Sequence, residues 1–288
     1  MLRIGIFPNK NKPLARNILN TLLQLITERG GQGLLPESLG TEWLGDQAAC
    51  PDETLREQID VAITLGGDGT LLSVSRRLAC SGIPILGINL GQLGFLADVE
   101  VAELTQSMDC LFSGNYTLQQ RIMVEAWVER STEREFLSYA MNEVVVTKSG
   151  FSRLIDLEIA MKCEPVTKFS ADGVIVATPT GSTGYSLSAG GPIVHPELDV
   201  LLLTPICSNT LHARPFVIPG HEELCIRVPA PQGDILVTAD GQNGYHVQPG
   251  EAICIRRASA KTPFIRLPGT SYYEALRRKL WRNYEDRD

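Results

Sequence analysis

The 288-residue chain lacks the marks of several large protein classes. Hydrophobic residues make up 43% of it, yet no uninterrupted apolar run approaches the ~20 residues of a membrane span. Basic residues are outnumbered, 26 Lys and Arg against 33 Asp and Glu, which leaves a net charge of −7. That balance argues against nucleic acid and against an anionic membrane as partners, since both select basic faces. None of the seven cysteines forms a CxxC pair. Odd in number and set among apolar neighbours, they read as reduced core thiols. His195, His212, His221 and His246 fall at no metal-ligand spacing, which argues against a zinc site. No internal repeat or low-complexity tract is present. The first residues, Met1 to Phe7, run straight into a strand pattern with no signal-peptide layout, so the expectation is a cytoplasmic protein.

What is present begins as α/β. Leu2 to Phe7 alternates like a strand, and Leu14, Ile18, Leu19, Leu22, Leu25 and Ile26 recur at helical spacing between Pro13 and Gly30. Residues 32–57 are polar with scattered Gly and Pro and read as a variable loop region. Ile59 to Leu65 is an apolar run suited to a buried strand, Leu71 to Cys80 has helical spacing, Ile85 to Asn89 is another short strand, and 101–112 suits a helix. This order predicts a doubly wound domain with a parallel sheet.

The pattern changes after Gly114. Ile122, Val124, Ala126 and Val128 alternate with polar or bulky residues, and so do Ile155, Leu157, Ile159 and Met161. Short strands continue between Pro, Gly and Asn turns, so this half is mostly β. At the end, Tyr273, Leu276 and Leu280 share a helical face among Arg277, Arg278 and Lys279, and that helix is expected back against the first domain. The expected domains are 1–118 plus about 266–288, α/β, and 119–265, β-rich.

Three stretches carry chemistry. Gly66-Gly67-Asp68-Gly69-Thr70 sets a carboxylate on a glycine-rich turn between strand and helix, where open α/β sheets bind ligands. Glycines admit phosphate close to the backbone and a helix start favours anions, which suggests phosphoryl transfer with a positioned base. A turn in which Asp68 only caps the helix fits the same residues equally well. The second stretch, Ala171-Asp172-Gly173 through Thr178-Pro179-Thr180-Gly181-Ser182-Thr183 to Pro192, offers hydroxyls and amides to ribose, amide or phosphate oxygens. A small-residue turn for close packing also fits it. It has no P-loop lysine. In the third, Asn142-Glu143 interrupts an apolar strand; the pair could bind hydroxyl or amino groups, or simply face water at a strand edge.

Together these motifs resemble bacterial NAD kinases in order, spacing and two-domain layout, from residue 1 to about 285. The first motif is shared with diacylglycerol and sphingosine kinases; the second, with Ser188-Ala189-Gly190-Gly191-Pro192 attached, is far more specific. The resemblance implies an enzyme that moves the terminal phosphoryl group of ATP, or of polyphosphate, to the 2′-hydroxyl of the adenosine ribose of NAD. It implies Asp68 as catalytic base, with Gly69 beside the same nucleotide, and Asn142 and Glu143 as the pair that binds NAD. Arg153, Asp172, Thr183, Gly184, Tyr185, Ser186, Leu187, Ser188 and Gln242 fall at NAD-binding positions. Gly66, Gly67, Gly69 and Thr70 would line the phosphates, and Phe95 would pack on adenine. Mg²⁺ is the implied cofactor with no ligands assigned, and a homodimer or homotetramer built through the β domain the implied assembly. The chain departs from the family at Gly184, where alanine is usual, and at Ser170, where some relatives carry arginine.

Two other readings remain. A lipid kinase would share the first motif, but Asn142-Glu143 and the Thr180 to Pro192 segment argue against it, as does the lack of a basic amphipathic surface. A non-catalytic NAD sensor would keep the site without turnover, and intact Asp68 counts against that. A Rossmann dehydrogenase is excluded because Gly5-Ile6-Phe7-Pro8-Asn9 stands where G-x-G-x-x-G would be required.

Overall fold

The computed structural model describes the chain apart from residues 44–48, 52–53, 92–93, 98, 131–132, 151–153, 163, 230–234 and 281–288. It divides into two compact units, Met1–Gln120 with Thr262 onward, and Arg121–Lys261.

In the first unit β1 (Arg3–Pro8), β2 (Gln32–Pro36), β3 (Ala49–Cys50), β4 (Val61–Gly66), β5 (Ile85–Asn89), β6 (Val99–Glu100) and β7 (Thr117–Arg121) are joined by β20 (Thr262–Arg266) from the end of the chain. The sheet order is β3-β2-β1-β4-β5-β20-β7, with β6 beside β5. The pairs from β3 across to β20 are parallel. Every residue of β4 and β5 is buried, as expected of central parallel strands covered on both faces, and this is why their sequences are apolar runs without alternation.

Helices α1 (Leu14–Glu28), α4 (Asp68–Arg77) and α5 (Leu104–Ser113) connect these strands. Ala15, Leu19, Leu22 and Ile26 form the buried stripe of α1, three to four residues apart. Gly30, at φ +74°, ends that helix, and the N–H groups of Gly30 and Gly31 return to the carbonyls of Thr27 and Ile26.

Residues 32–57, expected as loop, instead supply β2, α2 (Glu37–Trp43), β3 and α3 (Leu55–Gln58). Gly33 lies so close to Leu23 that a side chain there would collide with it and press on Ile6. The glycine that read as loop punctuation is a close-packing position under α1. The helix expected from Leu71 begins three residues earlier, at Asp68. The C-terminal helix α7 (Tyr272–Leu280) groups with this unit and buries Leu276, whereas Tyr273, expected on its apolar face, is exposed.

The second unit holds two six-stranded sheets. One has the order β15 (Phe216–Pro219), β14 (Val200–Ile206), β13 (Gly173–Ala177), β10 (Glu143–Lys148), β17 (Ile235–Ala239), β18 (Asn243–Val247). The other runs β12 (Glu164–Ala171), β11 (Ile155–Met161), β16 (Leu224–Arg227), β19 (Ala252–Arg257), β8 (Val124–Glu129), β9 (Arg134–Ala140). Alternate residues, among them Val124, Ala126, Val128, Ile155, Leu157, Val174, Val176 and Ile253, fill one core. On the opposite face of the first sheet, Val145, Ile175, Ala177 and Leu202 are covered by Ala189 and Val194. These belong to the segment after β13 that carries a short helix, α6 (Tyr185–Ser188).

One expectation about cysteine is corrected. Antiparallel pairing of β16 with β19 sets Cys225 opposite Cys254, and the two are joined as a disulfide. A separation of 29 residues hides a pairing that only strand register creates. Cys50 is buried, Cys110 half-buried, and Cys80 and Cys207 are exposed, so "core thiol" describes Cys50 alone among the free ones; Cys163 lies outside the described residues.

Candidate functional site

In the parallel sheet the chain moves outward from β1 to β2 on one side and from β4 to β5 on the other. The carboxyl ends of β1 and β4 therefore flank the switch point, where such sheets receive ligands. Gly66 ends β4 there, and a Cβ on it would collide with Thr70. Glycine thus lets the first turn of α4 close onto the strand. Asn9, just after β1, donates its side-chain amide to the Thr70 hydroxyl at 3.0 Å, tying the two strand ends together. Gly67 is extended, has open space around it, and is the N-cap of α4; Gly69 is exposed.

Asp68 opens α4 as its first residue, after the N-cap Gly67, so it is not the simple cap the sequence also allowed. No side chain caps this helix. The Asp68 carboxylate turns toward the segment after β5, where the Phe95 N–H donates to Oδ2 at 2.8 Å and the Leu96 and Ala97 N–H groups donate to Oδ1 at 3.1 and 3.2 Å. A Cβ on Gly94 would strike that carboxylate, so glycine there is what admits it. Three amides fix both oxygens, and Asp68 remains only partly buried. Arg266, at the end of β20, lies within its field: burial lowers the guanidinium to about 10, and the Asp68 charge acts the other way. Phe95 is half-buried, with the Lys279 ammonium 5.2 Å from its ring centre and a cavity of about 70 Å³ beside it, lined by Gln119, Arg266 and Tyr272 among others. Arg266 went unremarked in the sequence, where one Arg in a short β-strand carries no signal.

In the β unit, Asn142 and Glu143 stand where β10 begins, and neither faces open water: Asn142 is half-buried and Glu143 7% exposed. Their backbone is held on two sides. Thr178 N–H donates to the Asn142 carbonyl at 2.8 Å and the Thr178 hydroxyl to the Met141 carbonyl at 2.6 Å. From the β17–β18 hairpin, Asp240 accepts the N–H groups of Met141, Asn142 and Glu143 at 3.0, 2.7 and 3.2 Å. Asp240 was missed as a site residue; the signal available was an Asp-Gly turn between two short strands.

Asn142 Oδ1 and Glu143 Oε2 are buried and have no hydrogen-bond partner among the described residues. Unpaired buried acceptors are uncommon and each requires a cause. Burial first and the Asp240 charge second raise Glu143, against a bond from the Tyr185 backbone N–H that lowers it, and the net position is about 8. Gly184 adjoins this pair: a Cβ would lie 3.0 Å from Glu143 Oε2 and 3.3 Å from Asn142 Nδ2. The methyl absent from this chain would therefore sit against the orphaned Glu143 oxygen and the Asn142 amide nitrogen.

Most hydroxyls of the second motif serve the turn itself. Thr178 accepts the Gly181 N–H, Ser182 bonds both ways with the Val194 backbone, and Thr180 accepts from the buried Arg121. Gly181 packs on the Asn142 carbonyl with no room for a side chain. Thr183 and Gly184 are half-buried, and Thr183 donates back to the Thr180 carbonyl. Ser186 turns inward to Thr204 at 2.8 Å. Tyr185 is 45% exposed, Leu187 half-buried and Ser188 exposed. Gln242 is exposed in the hairpin turn, two residues from Asp240, and its N–H meets the Ala239 carbonyl.

Asp172 is not brought to Asn142 and Glu143. Glu143 pairs with Ala177 and Thr147 with Gly173, so Asp172 belongs to the opposite end of the ladder, roughly 15 Å away at the usual rise. There it pairs with Lys148 at 2.6 Å. Arg153 lies outside the described residues.

Comparison with known proteins bears on both units. The family model described as the ATP-NAD kinase N-terminal domain matches residues 4–116, and that of the ATP-NAD kinase C-terminal domain matches residues 141–267. A protein named NAD kinase from Moorella thermoacetica is 41% identical over 284 residues, covering 97% of this chain and 89% of its own length. One from Symbiobacterium thermophilum is 40% identical over 281 residues, covering 97% and 99%. Among solved structures, yeast NADH kinase complexed with NADH aligns over 99% of this chain and 88% of its own, with a TM-score of 0.88 at 23% identity. An NAD kinase from Archaeoglobus fulgidus in complex with ATP aligns over 93% and 94%, with a TM-score of 0.73 at 24% identity. At such identities these two structures speak to the fold.

Proposed function

This chain belongs to the ATP-NAD kinase family, and on that premise we infer how its residues divide the phosphorylation of NAD to NADP. The observation that carries the assignment is Asp68, a carboxylate at the switch point of a parallel sheet whose oxygens are fixed by three backbone amides. We assign it the 2′-hydroxyl of the adenosine ribose. A hydroxyl is a poor nucleophile and phosphoryl transfer runs through a loose transition state, so the carboxylate mainly orients the hydroxyl and takes its proton late. Its fixed geometry suits that work, since orientation rather than strong basicity is required. Asn142 Oδ1 and Glu143 Oε2, buried and unpaired, are assigned to polar groups of NAD. Thr183 to Ser188 border the same ligand, with Tyr185 and Ser188 the more exposed members.

The phosphoryl donor is assigned to Gly66, Gly67, Gly69 and Thr70, with ATP as the donor by preference. Among the described residues this turn offers one carboxylate and one hydroxyl, and the hydroxyl already accepts from Asn9. So small a donor set cannot cage an ion by itself; it fits Mg²⁺ that arrives on nucleotide phosphates, with Asp68 as the one carboxylate at hand. Bound there, the ion would neutralise charge on the transferred phosphoryl group. Phe95 is assigned to the adenine, with Lys279 already over its ring.

Asp172, at the far end of the β10–β13 ladder, fits a contribution from a second copy of the chain. Exposed Leu198, Leu211 and Val217 in the β unit support a dimer built there. No helix among the described residues is long and apolar enough to cross a membrane, and a cytoplasmic enzyme is our reading.

The test is direct. Purified protein is incubated with Mg²⁺ and either ATP or polyphosphate, and with NAD, NADH or diacylglycerol as acceptor. NADP formed from ATP and NAD is expected, with loss of turnover on chelation. Phosphorylated lipid without NADP would overturn the assignment, and turnover that survives full chelation would overturn the metal.

A further inference from the structure

We propose that Asp240 is a positioning residue for dinucleotide capture: it fixes the backbone from Met141 to Glu143 so that the unpaired Asn142 and Glu143 oxygens are held ready for the ligand, and it does so without touching that ligand. The proposal rests on the reading of Asn142 and Glu143 as NAD contacts.

Four observations converge. Asp240 is 7% exposed, and its two carboxylate oxygens take three successive amides of the segment that bears the pair. Its own N–H returns to the Glu143 carbonyl at 2.9 Å, so the hairpin and the start of β10 are tied in both directions. Asp240 adopts φ +50°, and Gly241 follows at +64°. A turn alone would be served at least as well by asparagine or glycine there; the charge is what the turn does not require. Finally, Thr178 holds the same backbone from the other side with no charge. With every backbone group from Met141 to Glu143 engaged, the freedom left at the pair is in the side chains, and their outer oxygens are the unsatisfied atoms.

The charge of Asp240 has a second consequence. Glu143 is faced by Asp240 from the hairpin, by the Tyr185 N–H from α6, and by Gly184 and Asn142. Among these Asp240 carries the charge, and the Tyr185 phenol is exposed. Burial and Asp240 together keep Glu143 protonated to about 8. NAD affinity should then break near that pH, because the group that meets the ligand changes from acid to carboxylate there.

The experiment measures the dissociation constant for NAD against pH by calorimetry, and KM and kcat separately, for wild type, Asp240→Asn, Asp240→Glu, Thr178→Val and Asn142→Ala. Asp240→Asn should weaken NAD binding about 10–100-fold, the scale of a small misplacement, with kcat at saturating NAD changed far less. Its pH break should move to lower pH, because the charge that disfavoured ionised Glu143 is gone. Thr178→Val should weaken binding and leave the break in place. Asp240→Glu keeps the charge but displaces it, so it should weaken binding and keep the break near 8; it also serves if Asp240→Asn does not fold. Unchanged NAD affinity in folded Asp240→Asn or Asp240→Glu would overturn the positioning role. A break that stays put in Asp240→Asn would overturn its electrostatic part. Asn142→Ala separates the two levels: full NAD affinity in that variant overturns the underlying reading, whereas weakened binding there with normal binding in the Asp240 variants overturns this proposal alone.

Discussion

Each unit contains an aspartate that accepts three backbone amides, and the two differ in what they grip and how deeply they lie. Asp68 opens a helix and holds a segment 27 to 29 residues later in the chain. Asp240 turns a hairpin and holds the start of a strand 97 to 99 residues earlier. Asp240 is closed off, whereas Asp68 is only partly buried and adjoins Gly67, which has open space around it. On the roles proposed above, the same bonding pattern serves a group that meets substrate in one unit and a group that only holds others in place in the other. Exposure, rather than hydrogen-bond count, separates the two roles.

The sharpest break of this comparison is Asp68→Asn. If Asp68 takes the ribose proton, turnover should fall by ~10²–10⁴ with NAD affinity nearly unchanged. The amide's NH₂ must also face one of the three donor amides, so a stability loss of about 1–2 kcal/mol should accompany it. Steady-state kinetics and thermal unfolding on one preparation read both. Near-normal turnover would make Asp68 a clamp like Asp240 and nothing more.

Gly94→Ala attacks the grip without touching the carboxylate. Its methyl would occupy the space of the Asp68 carboxylate, and that carboxylate is held, so it cannot step aside freely. Turnover should fall by about 10-fold or more, on the scale set by misplaced catalytic groups. Full activity would mean that the three amides are dispensable.

The next effect concerns Glu143. Unfolded, it ionises near its ordinary value of 4.5; folded, it keeps its proton to about 8. Between those values the folded state binds more protons, so stability falls as pH rises and levels off above about 8. Glu143→Gln cannot ionise, so its melting temperature should be flatter across that range and gain on wild type toward alkaline pH. Parallel melting curves would show that Glu143 is ionised in the fold. The smallest effect is expected from Gly184→Ala. Its Cβ would press on the Glu143 carboxylate at 3.0 Å, where a side chain end can give way. Stability should stay within about ±0.5 kcal/mol and the KM for NAD should shift a few-fold at most. A change beyond that would make the missing methyl a determinant of the site.

Much of this was legible in the order of residues. The apolar runs of β4 and β5, the stripe of α1, the alternation in β8 and β11, and the change from helical to strand period near residue 115 all report burial, and burial leaves a local signature. The Gly-Gly-Asp-Gly-Thr turn is local in the same way: strand, glycines, acid and helix are neighbours in sequence, so the turn that presents Asp68 can be read directly. Where such reading failed, the cause was non-local. Gly33 reads as loop because a close approach by Leu23 leaves no mark in one dimension. Cys225 and Cys254 read as reduced thiols in one dimension because only the pairing of β16 with β19 sets them face to face.

The two-part layout and the family motifs Gly66 to Thr70, Asn142-Glu143 and Thr178 to Thr183 are written in contiguous residues with a fixed order, so the chain carries them without its fold. Only the tertiary structure decided what those residues touch. It set the Asp68 carboxylate in the grip of the Phe95, Leu96 and Ala97 amides, placed Asp240 beneath Asn142 and Glu143, and left Asp172 at the far end of its ladder. Hydrogen bonds between segments 27 to 99 residues apart depend on strand register and helix placement, which are set by the packing of the whole core and not by any one stretch of chain.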